Sequence, residues 1–180
     1  MRKGDWIQTF TGVQFWPLDP RPEEIFIIDI AHALSNICRF GGHSRCFYSV
    51  AEHSVIVSEH VSQENKLAAL LHDATEAYLG DMVRPLKRNM SEYRVAEYRL
   101  HIMICERFGL PVILADEIKL TDNKLLLNEK NELMGLEPAP WGLAQIGASE
   151  PLDNVDIMGW HPLYAKELFL LAYERLSEKK

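Results

Sequence analysis

The chain has 180 residues, of which 47% are hydrophobic and 25% charged, and its formal net charge is -7. These values are typical of a globular protein, and the length predicts a single domain over residues 1–180. The negative charge argues against a protein that grips a nucleic-acid duplex through a basic face, although a metal ion and a few local cations can still bind an anionic substrate.

Cysteine usage and the apolar pattern indicate the compartment. Three cysteines are an odd number, and no Cys-x-x-Cys pair occurs among them. This usage suits a reducing cytoplasm better than a disulfide framework. The start of the chain lacks the apolar run of a signal peptide, and no stretch approaches a membrane span. We therefore expect a cytoplasmic protein without a membrane partner.

Proline, glycine and helical periodicity predict an all-α fold. Residues 1–22 should be irregular because Pro17, Pro20 and Pro22 forbid a helix there. No alternating strand pattern occurs, and residues 135–161 should form a long loop. The predicted helices run from about Glu23 to the Gly41-Gly42 turn, from Tyr48 to His60, from a Ser62 cap through Tyr78, through Leu100–Phe108 to Gly109, from Leu114 to Leu133, and over 162–176 with Leu168, Leu171 and Ala172 on its core face.

Four metal-seeking side chains interrupt these apolar patterns. His72-Asp73 ends the run Leu67–Leu71, while His53 and Asp122 each lie on an apolar helical stripe. An unpaired buried carboxylate is costly, so such groups are expected to be paired or to bind a metal. Two imidazoles and two carboxylates suit one divalent transition metal, with Mn, Co, Fe, Ni and Zn all compatible. The alternative, a set of hydrogen-bonded core residues, explains the combination less well.

Acidic and basic residues around this set suggest catalytic and binding roles. Glu76 follows Asp73 at helical spacing, so either carboxylate could act as the acid or base, and the sequence does not separate them. A negatively charged substrate needs cations, and Arg39 and Arg45 precede His53 while others follow the His-Asp pair. His43 is a candidate phosphate contact or proton donor, and a surface loop histidine is the alternative.

The ordered set His53…His72-Asp73…Asp122 resembles the signature of the HD-domain metal-dependent phosphohydrolases, whose fold is an all-helical bundle with a central metal. The local text is similar to the bacterial 5′-deoxynucleotidases and their phage-encoded relatives, over roughly Ile30 to Leu133. The segments that carry this likeness are Arg39-Phe40, Ser49–Ser54, His72–Asp81 and Pro85–Lys87.

The resemblance implies a role for each matching position. His53, His72, Asp73 and Asp122 become metal ligands, and Glu76 acts in catalysis. Asp81 meets the sugar, and Arg39 lies near the phosphate. The branch has Trp where this chain has Phe40 beside the sugar, so we expect weaker sugar discrimination here.

The function expected from the resemblance is release of phosphate from (deoxy)nucleoside 5′-monophosphates. His101 is the only histidine between Asp73 and Asp122, which favours one metal over two, and Ala77 after Glu76 argues against the alarmone hydrolases. Alternatives are an HD-type phosphodiesterase, a nucleotide triphosphohydrolase, or a non-catalytic metal-stabilised nucleotide-binding module. The expected partner is a small nucleotide, and formation of a homodimer stays open.

Overall fold

A computed structural model describes residues 2–142 and 147–178, and this part of the chain is mostly helical, as the sequence predicts. Two short strands, β1 (Ile7–Gln8) and β2 (Gln14–Phe15), precede the helices, and 3-10 turns occupy Pro22–Glu24, Arg39–Gly42 and Gln63–Asn65. None of the described helices is long and apolar enough to cross a membrane. The helices are α1 (Ile27–Asn36), α2 (Val50–Glu59), α3 (Lys66–Leu70), α4 (Glu76–Leu79), α5 (Arg84–Lys87), α6 (Ser91–Phe108), α7 (Asp116–Leu133) and α8 (Pro162–Ser177).

Helix α2 is the centre of the molecule. It contacts α1, α3, α7 and α8, and every residue from Val50 to Ser58 is buried. The Ser49 side chain caps its first turn by accepting a hydrogen bond from the Glu52 main-chain N–H at 3.0 Å. A helix buried on all sides must find a partner for each polar side chain within the protein. Ser54 and Ser58 do so by donating to the carbonyl oxygens of Val50 and Lys66.

Two apolar clusters lie on opposite sides of α2. Residues of α1, α3, α6 and α8 form the first with Val50 and Val55, whereas other residues of α3 and residues of α7 form the second with Ile56 and Val57. The core face of α8 consists of Ala165, Phe169 and Ala172. The prediction of Leu171 on this face is wrong, since that side chain is 52% exposed. Apolar periodicity on α8 fits more than one face, and packing against α1 and α2 selects one of them.

The amino-terminal segment is more ordered than the sequence indicates. Strands Ile7–Gln8 and Gln14–Phe15 pair in an antiparallel ribbon, a correction to the irregular segment expected over residues 1–22. Asp29 at the start of α1 fixes the ribbon, because its carboxylate accepts from both the N–H and the hydroxyl of Thr11 at 2.7 and 2.8 Å. Strands of two residues are too short to leave a recognisable alternation in the sequence.

The prediction of one continuous helix from Ser62 to Tyr78 is wrong, because the helix breaks before the His72-Asp73 pair. Helix α3 ends at Leu70, and α4 begins only at Glu76. Between them the main-chain hydrogen bonds shorten to i→i−3, as in Ala74 N–H to Leu71 O at 3.1 Å. Ser62 does not cap the helix either, since its hydroxyl donates to Glu117 at 2.6 Å. The break places His72 and Asp73 in a turn rather than on a helix face.

The carboxylate of Glu52 on α2 holds the segment that precedes α8. The described residues between α7 and α8 contain no helix or strand, while residues 143–146 of the predicted loop lie outside the described part. Glu52 accepts three main-chain N–H groups, from Met158, Gly159 and Trp160, at 2.8, 3.0 and 2.6 Å. Gly159 has a φ of +62°, and a Cβ there would meet the Phe47 carbonyl oxygen at 2.9 Å, so a glycine is required.

Candidate metal centre

Three of the predicted ligands converge in the middle of the fold. His53 on α2, His72 in the turn after α3 and Asp122 on α7 each offer one donor atom, and these atoms lie within 4.8 Å of one another. The Nε2 atom of His53 is 3.4 Å from Nε2 of His72 and 3.3 Å from Oδ1 of Asp122. Three elements that are far apart in the sequence therefore supply a single cluster that could hold a metal ion.

Asp73, the fourth predicted ligand, lies against both imidazoles. Its Oδ2 atom is 3.2 Å from Nε2 of His72 and 3.6 Å from Nε2 of His53. Donors bound to one transition-metal ion at about 2.0–2.2 Å lie roughly 3–3.6 Å from one another. The four separations given above fall in this range, and the donors of His53, His72 and Asp122 could hold one such ion. Coordination by Asp73 itself stays a prediction.

The outer nitrogens of both imidazoles are engaged, so the inner nitrogens are the acceptors whenever the imidazoles are neutral. The Nδ1–H of His53 donates to Glu129 at 2.6 Å, and that of His72 donates to the Ala69 carbonyl oxygen at 2.7 Å. In the neutral form the proton lies on Nδ1, and the lone pair of Nε2 points into the cluster. Metal-binding histidines are usually held by such a partner, which sets the tautomer and the ring orientation.

The charges of the cluster depend strongly on one another. Burial lowers the pKa of His72, but Asp73 and Asp122 outweigh it and raise this pKa to about 9. Burial alone would raise the pKa of Asp73, yet His72, His53 and Arg39 hold it well below its usual value. Asp73 is therefore an anion, as a metal ligand must be.

Glu76 differs from Asp73 in its hydrogen bonding and in the direction of its pKa shift. It begins α4 with only 6% of its surface exposed, and its Oε2 atom is buried without a hydrogen-bond partner. Burial, with the charges of Asp73 and Asp81, raises the pKa of Glu76 well above its usual value. Burial likewise raises the pKa of Asp81, which lies in the same field of charges. Glu76 is thus suited to hold a proton that Asp73 cannot hold.

Arg39 brings a cation to the cluster from the 3-10 turn before α2. Its guanidinium lies 3.7 Å from Asp73 and 3.0 Å from Glu129, and its Nε is buried without a partner. Phe40 follows with a φ of +58°, an unusual conformation for a bulky residue, and its ring is 5.5 Å from the Arg39 guanidinium carbon. The ring of Trp141 lies 6.2 Å from Phe40, centroid to centroid. An aromatic pair therefore stands beside the cation.

Two cations follow the His-Asp turn on α5. Arg84 lies 3.6 Å from Oδ2 of Asp122 and donates to Asn123 at 3.4 Å. Lys87 pairs with Glu97 on α6, and Asp73 and Glu76 add to the field that raises its pKa against the effect of burial. The cluster thus has positive charge on two sides.

His43 and Arg45 are placed less closely. Both residues are exposed, and in the described part of the chain neither side chain has a hydrogen bond or ion pair with the cluster. The Arg45 main-chain N–H donates to the carbonyl oxygen at the end of α7. Their contact with a substrate stays a prediction. His101 also lies elsewhere, with its Nε2 bonded to the Val112 carbonyl oxygen at 2.9 Å.

Glu129 is the site residue that the sequence analysis did not assign. It follows Asp122 by seven positions, two helical turns along the same stripe of α7, and its side chain is fully buried. A charged residue on an otherwise apolar stripe was the available signal. Its partners, Arg39 and His53, lie at distant positions in the sequence, so their pairing was not predictable.

Fold and site together define the class: a mostly helical protein with a histidine and aspartate cluster that could hold a metal ion. No family model matches the chain. It is 39% identical over 175 residues to the uncharacterized protein YfdR of Escherichia coli, with 96% of each chain covered, and it belongs to the same family as that protein. It is also 41% identical over 127 residues to the uncharacterized protein RCAP_rcc00048 of Rhodobacter capsulatus, with 65% of each covered.

Proposed function

We propose that this protein is a metal-dependent phosphohydrolase of the HD-domain type that releases phosphate from (deoxy)nucleoside 5′-monophosphates. The observation that carries the proposal is the cluster of His53, His72 and Asp122, with both Nδ1 atoms engaged on the outside and both Nε2 atoms turned inward. The resemblance to the 5′-deoxynucleotidases, on residues around this cluster, supplies the substrate class.

The metal would be held by His53, His72, Asp73 and Asp122. When bound, a divalent ion polarises a phosphoryl oxygen and lowers the pKa of water towards neutrality. Arg39 binds the negative phosphate, because it is the buried guanidinium in contact with Asp73 and has an unpartnered Nε. Arg84, which is 44% exposed, adds positive charge from the solvent side.

Glu76 is the residue suited to proton transfer. Hydrolysis takes a proton from the attacking water and delivers one to the departing ester oxygen. A protonated Glu76 can deliver the proton to the departing ester oxygen, because burial and two neighbouring carboxylates favour its protonated form, and its carboxylate can then take up the proton that the water loses. Asp73 remains ionised and is thereby the better ligand. This difference favours Glu76 over Asp73 as the general acid or base.

The substrate's sugar and base would lie on the Phe40 and Asp81 side. Asp81 accepts a hydrogen bond from the sugar 3′-hydroxyl, which orients the 5′-phosphate towards the metal. The ring of Phe40, next to Arg39, offers an apolar surface for the nucleoside. Two arginines, Arg39 and the more exposed Arg84, provide enough positive charge for one terminal phosphate but suit a triphosphate less well.

A metal analysis and a phosphate-release screen test this proposal. The purified protein should contain about one divalent transition metal per chain, and Asp122→Ala and Asp73→Ala should lose the metal and the activity. Nucleoside 5′-monophosphates should be hydrolysed faster than 3′-monophosphates, cyclic nucleotides and triphosphates at saturating metal. Faster hydrolysis of diesters or triphosphates would overturn the substrate but leave the metal centre. Wild-type metal content in both variants would overturn the ligand assignment.

A further inference from the structure

Glu129 joins two functional groups that come from different elements. Its carboxylate is fully buried between α7, α2 and the 3-10 turn Arg39–Gly42. One oxygen, Oε1, lies 2.6 Å from Nδ1 of His53, and the other, Oε2, lies 3.0 Å from a terminal nitrogen of Arg39. The two oxygens thus contact two different groups, an imidazole that could bind a cation and a guanidinium that could bind an anion.

The contact with His53 determines which nitrogen faces the cluster. Because the Glu129 carboxylate can only accept, the proton of the neutral imidazole lies on Nδ1, and Nε2 is left as a donor for a metal. The contact with Arg39 fixes one terminal nitrogen of a long side chain and thereby the plane of its guanidinium. Its other terminal nitrogen already lies 3.7 Å from Asp73, and its Nε has no partner.

We propose that Glu129 is a positioning residue that aims the His53 imidazole at the metal and the Arg39 guanidinium at the substrate's phosphate. One carboxylate would then fix the distance between the metal and the anion-binding group. The phosphate half of this inference rests on the proposed function, whereas the metal half depends only on the cluster. The competing explanation is a buried ion pair that serves stability alone.

The test compares Glu129→Gln with Glu132→Gln, an exposed glutamate on the same helix. Glutamine keeps the shape of the side chain but removes its charge and its restriction to accepting. In Glu129→Gln the affinity for Zn²⁺, measured by competition with a chromophoric chelator, should fall ~10–100-fold, the usual effect of losing an outer partner of a metal ligand. The visible absorption spectrum of the Co²⁺-loaded protein should also change. Glu132→Gln should match wild type in both measurements.

Inorganic phosphate provides the second measurement. Its binding to the metal-saturated protein, measured by calorimetry, should weaken about tenfold in Glu129→Gln, because Arg39 loses its orientation. Should this variant fold poorly, Glu129→Asp keeps the charge but withdraws the oxygens from both partners. It should therefore shift both affinities in the same direction by a smaller factor.

The outcomes separate the inference from the proposed function. Wild-type Zn²⁺ affinity, an unchanged Co²⁺ spectrum and wild-type phosphate affinity in folded Glu129→Gln would show that Glu129 serves stability alone, while the metal centre stands. A wild-type protein that binds no divalent metal would overturn the centre and this inference together. A wild-type protein that binds metal but no phosphate would overturn the proposed phosphohydrolase and the Arg39 half, leaving the His53 half in place.

Discussion

The two sides of the metal cluster are built differently. On one side is the α2–α7 wall, formed by His53, Asp122 and Glu129 on two long helices, where buried side chains hold one another. On the other is the 71–81 turn, where His72 is fixed by a main-chain carbonyl and the carboxylate of Glu76 has an unpartnered oxygen. The buried side chains of the wall have partners within the protein, whereas Oε2 of Glu76 in the turn has none.

Under the proposed function, this difference would assign ion binding to the wall and proton transfer to the turn. Buried polar groups are usually paired, and the exceptions often mark functional sites. In the wall, the hydrogen bond between Glu129 and His53 fixes the orientation of the imidazole and therefore of its inner nitrogen, so the wall is suited to hold an ion in one place. The turn carries two carboxylates with opposite pKa shifts, Asp73 lowered and Glu76 raised, so it is suited to move a proton.

The substitution Glu76→Gln tests the role of the turn and has the largest expected effect. Turnover should fall ~10²–10⁴-fold, the usual worth of a positioned acid or base, because the amide cannot take up or release the proton. Metal content should stay near wild type, since Glu76 is not among the ligands. Steady-state kinetics and elemental analysis would measure the two effects, with Glu106→Gln on the exposed face of α6 as the matched control. Unchanged turnover at full metal content would transfer the role to Asp73.

Asp81→Ala should have the next largest effect. If Asp81 accepts a hydrogen bond from the sugar, its loss should lower kcat/KM by about 10²-fold or more, because a paired polar contact is removed. Phe40→Trp should alter the ratio of deoxyribose to ribose substrates by roughly 10²-fold at most, since an apolar surface rejects a hydroxyl only weakly. A larger loss in Phe40→Trp than in Asp81→Ala would reverse this order.

A 3′-deoxynucleotide sharpens the Asp81 test. Wild type should hydrolyse it poorly, and Asp81→Ala should hydrolyse it as well as it does the 3′-hydroxyl substrate. Wild-type protein that treats both substrates alike would show that Asp81 does not contact the 3′-hydroxyl.

The smallest expected effect concerns the anchoring of the segment before α8 to α2. Glu52 lies next to His53 on α2 and accepts three main-chain N–H groups, so Glu52→Gln should lower the free energy of unfolding by about 2 kcal/mol. Urea unfolding would measure this change. Glu59→Gln, at the exposed end of the same helix, should have little effect. Equal stability of the two variants would show that the three hydrogen bonds do not anchor the segment before α8.

The sequence predicts the long elements of this protein because each carries enough helical turns for its pattern to stand out. Helices α2 and α7 lie close to the predicted bounds, and both carry the charged residues that interrupt their apolar stripes. The grouping of His53, His72 and Asp122 follows from the same interruptions, because a buried polar residue without a nearby partner needs one from elsewhere. Apolar spacing and unusual polar positions are both local properties, readable from one sequence.

Tertiary packing decided what local patterns leave open. The helix expected to continue through Tyr78 breaks after Leu70, and the break brings two consecutive side chains, His72 and Asp73, together, whereas a regular helix would turn them about 100° apart. The pairing of Glu129 with Arg39 and His53 joins residues separated by 90 and 76 positions. Spacing within one element determines which face a residue occupies, whereas the partner across the core depends on how the helices pack.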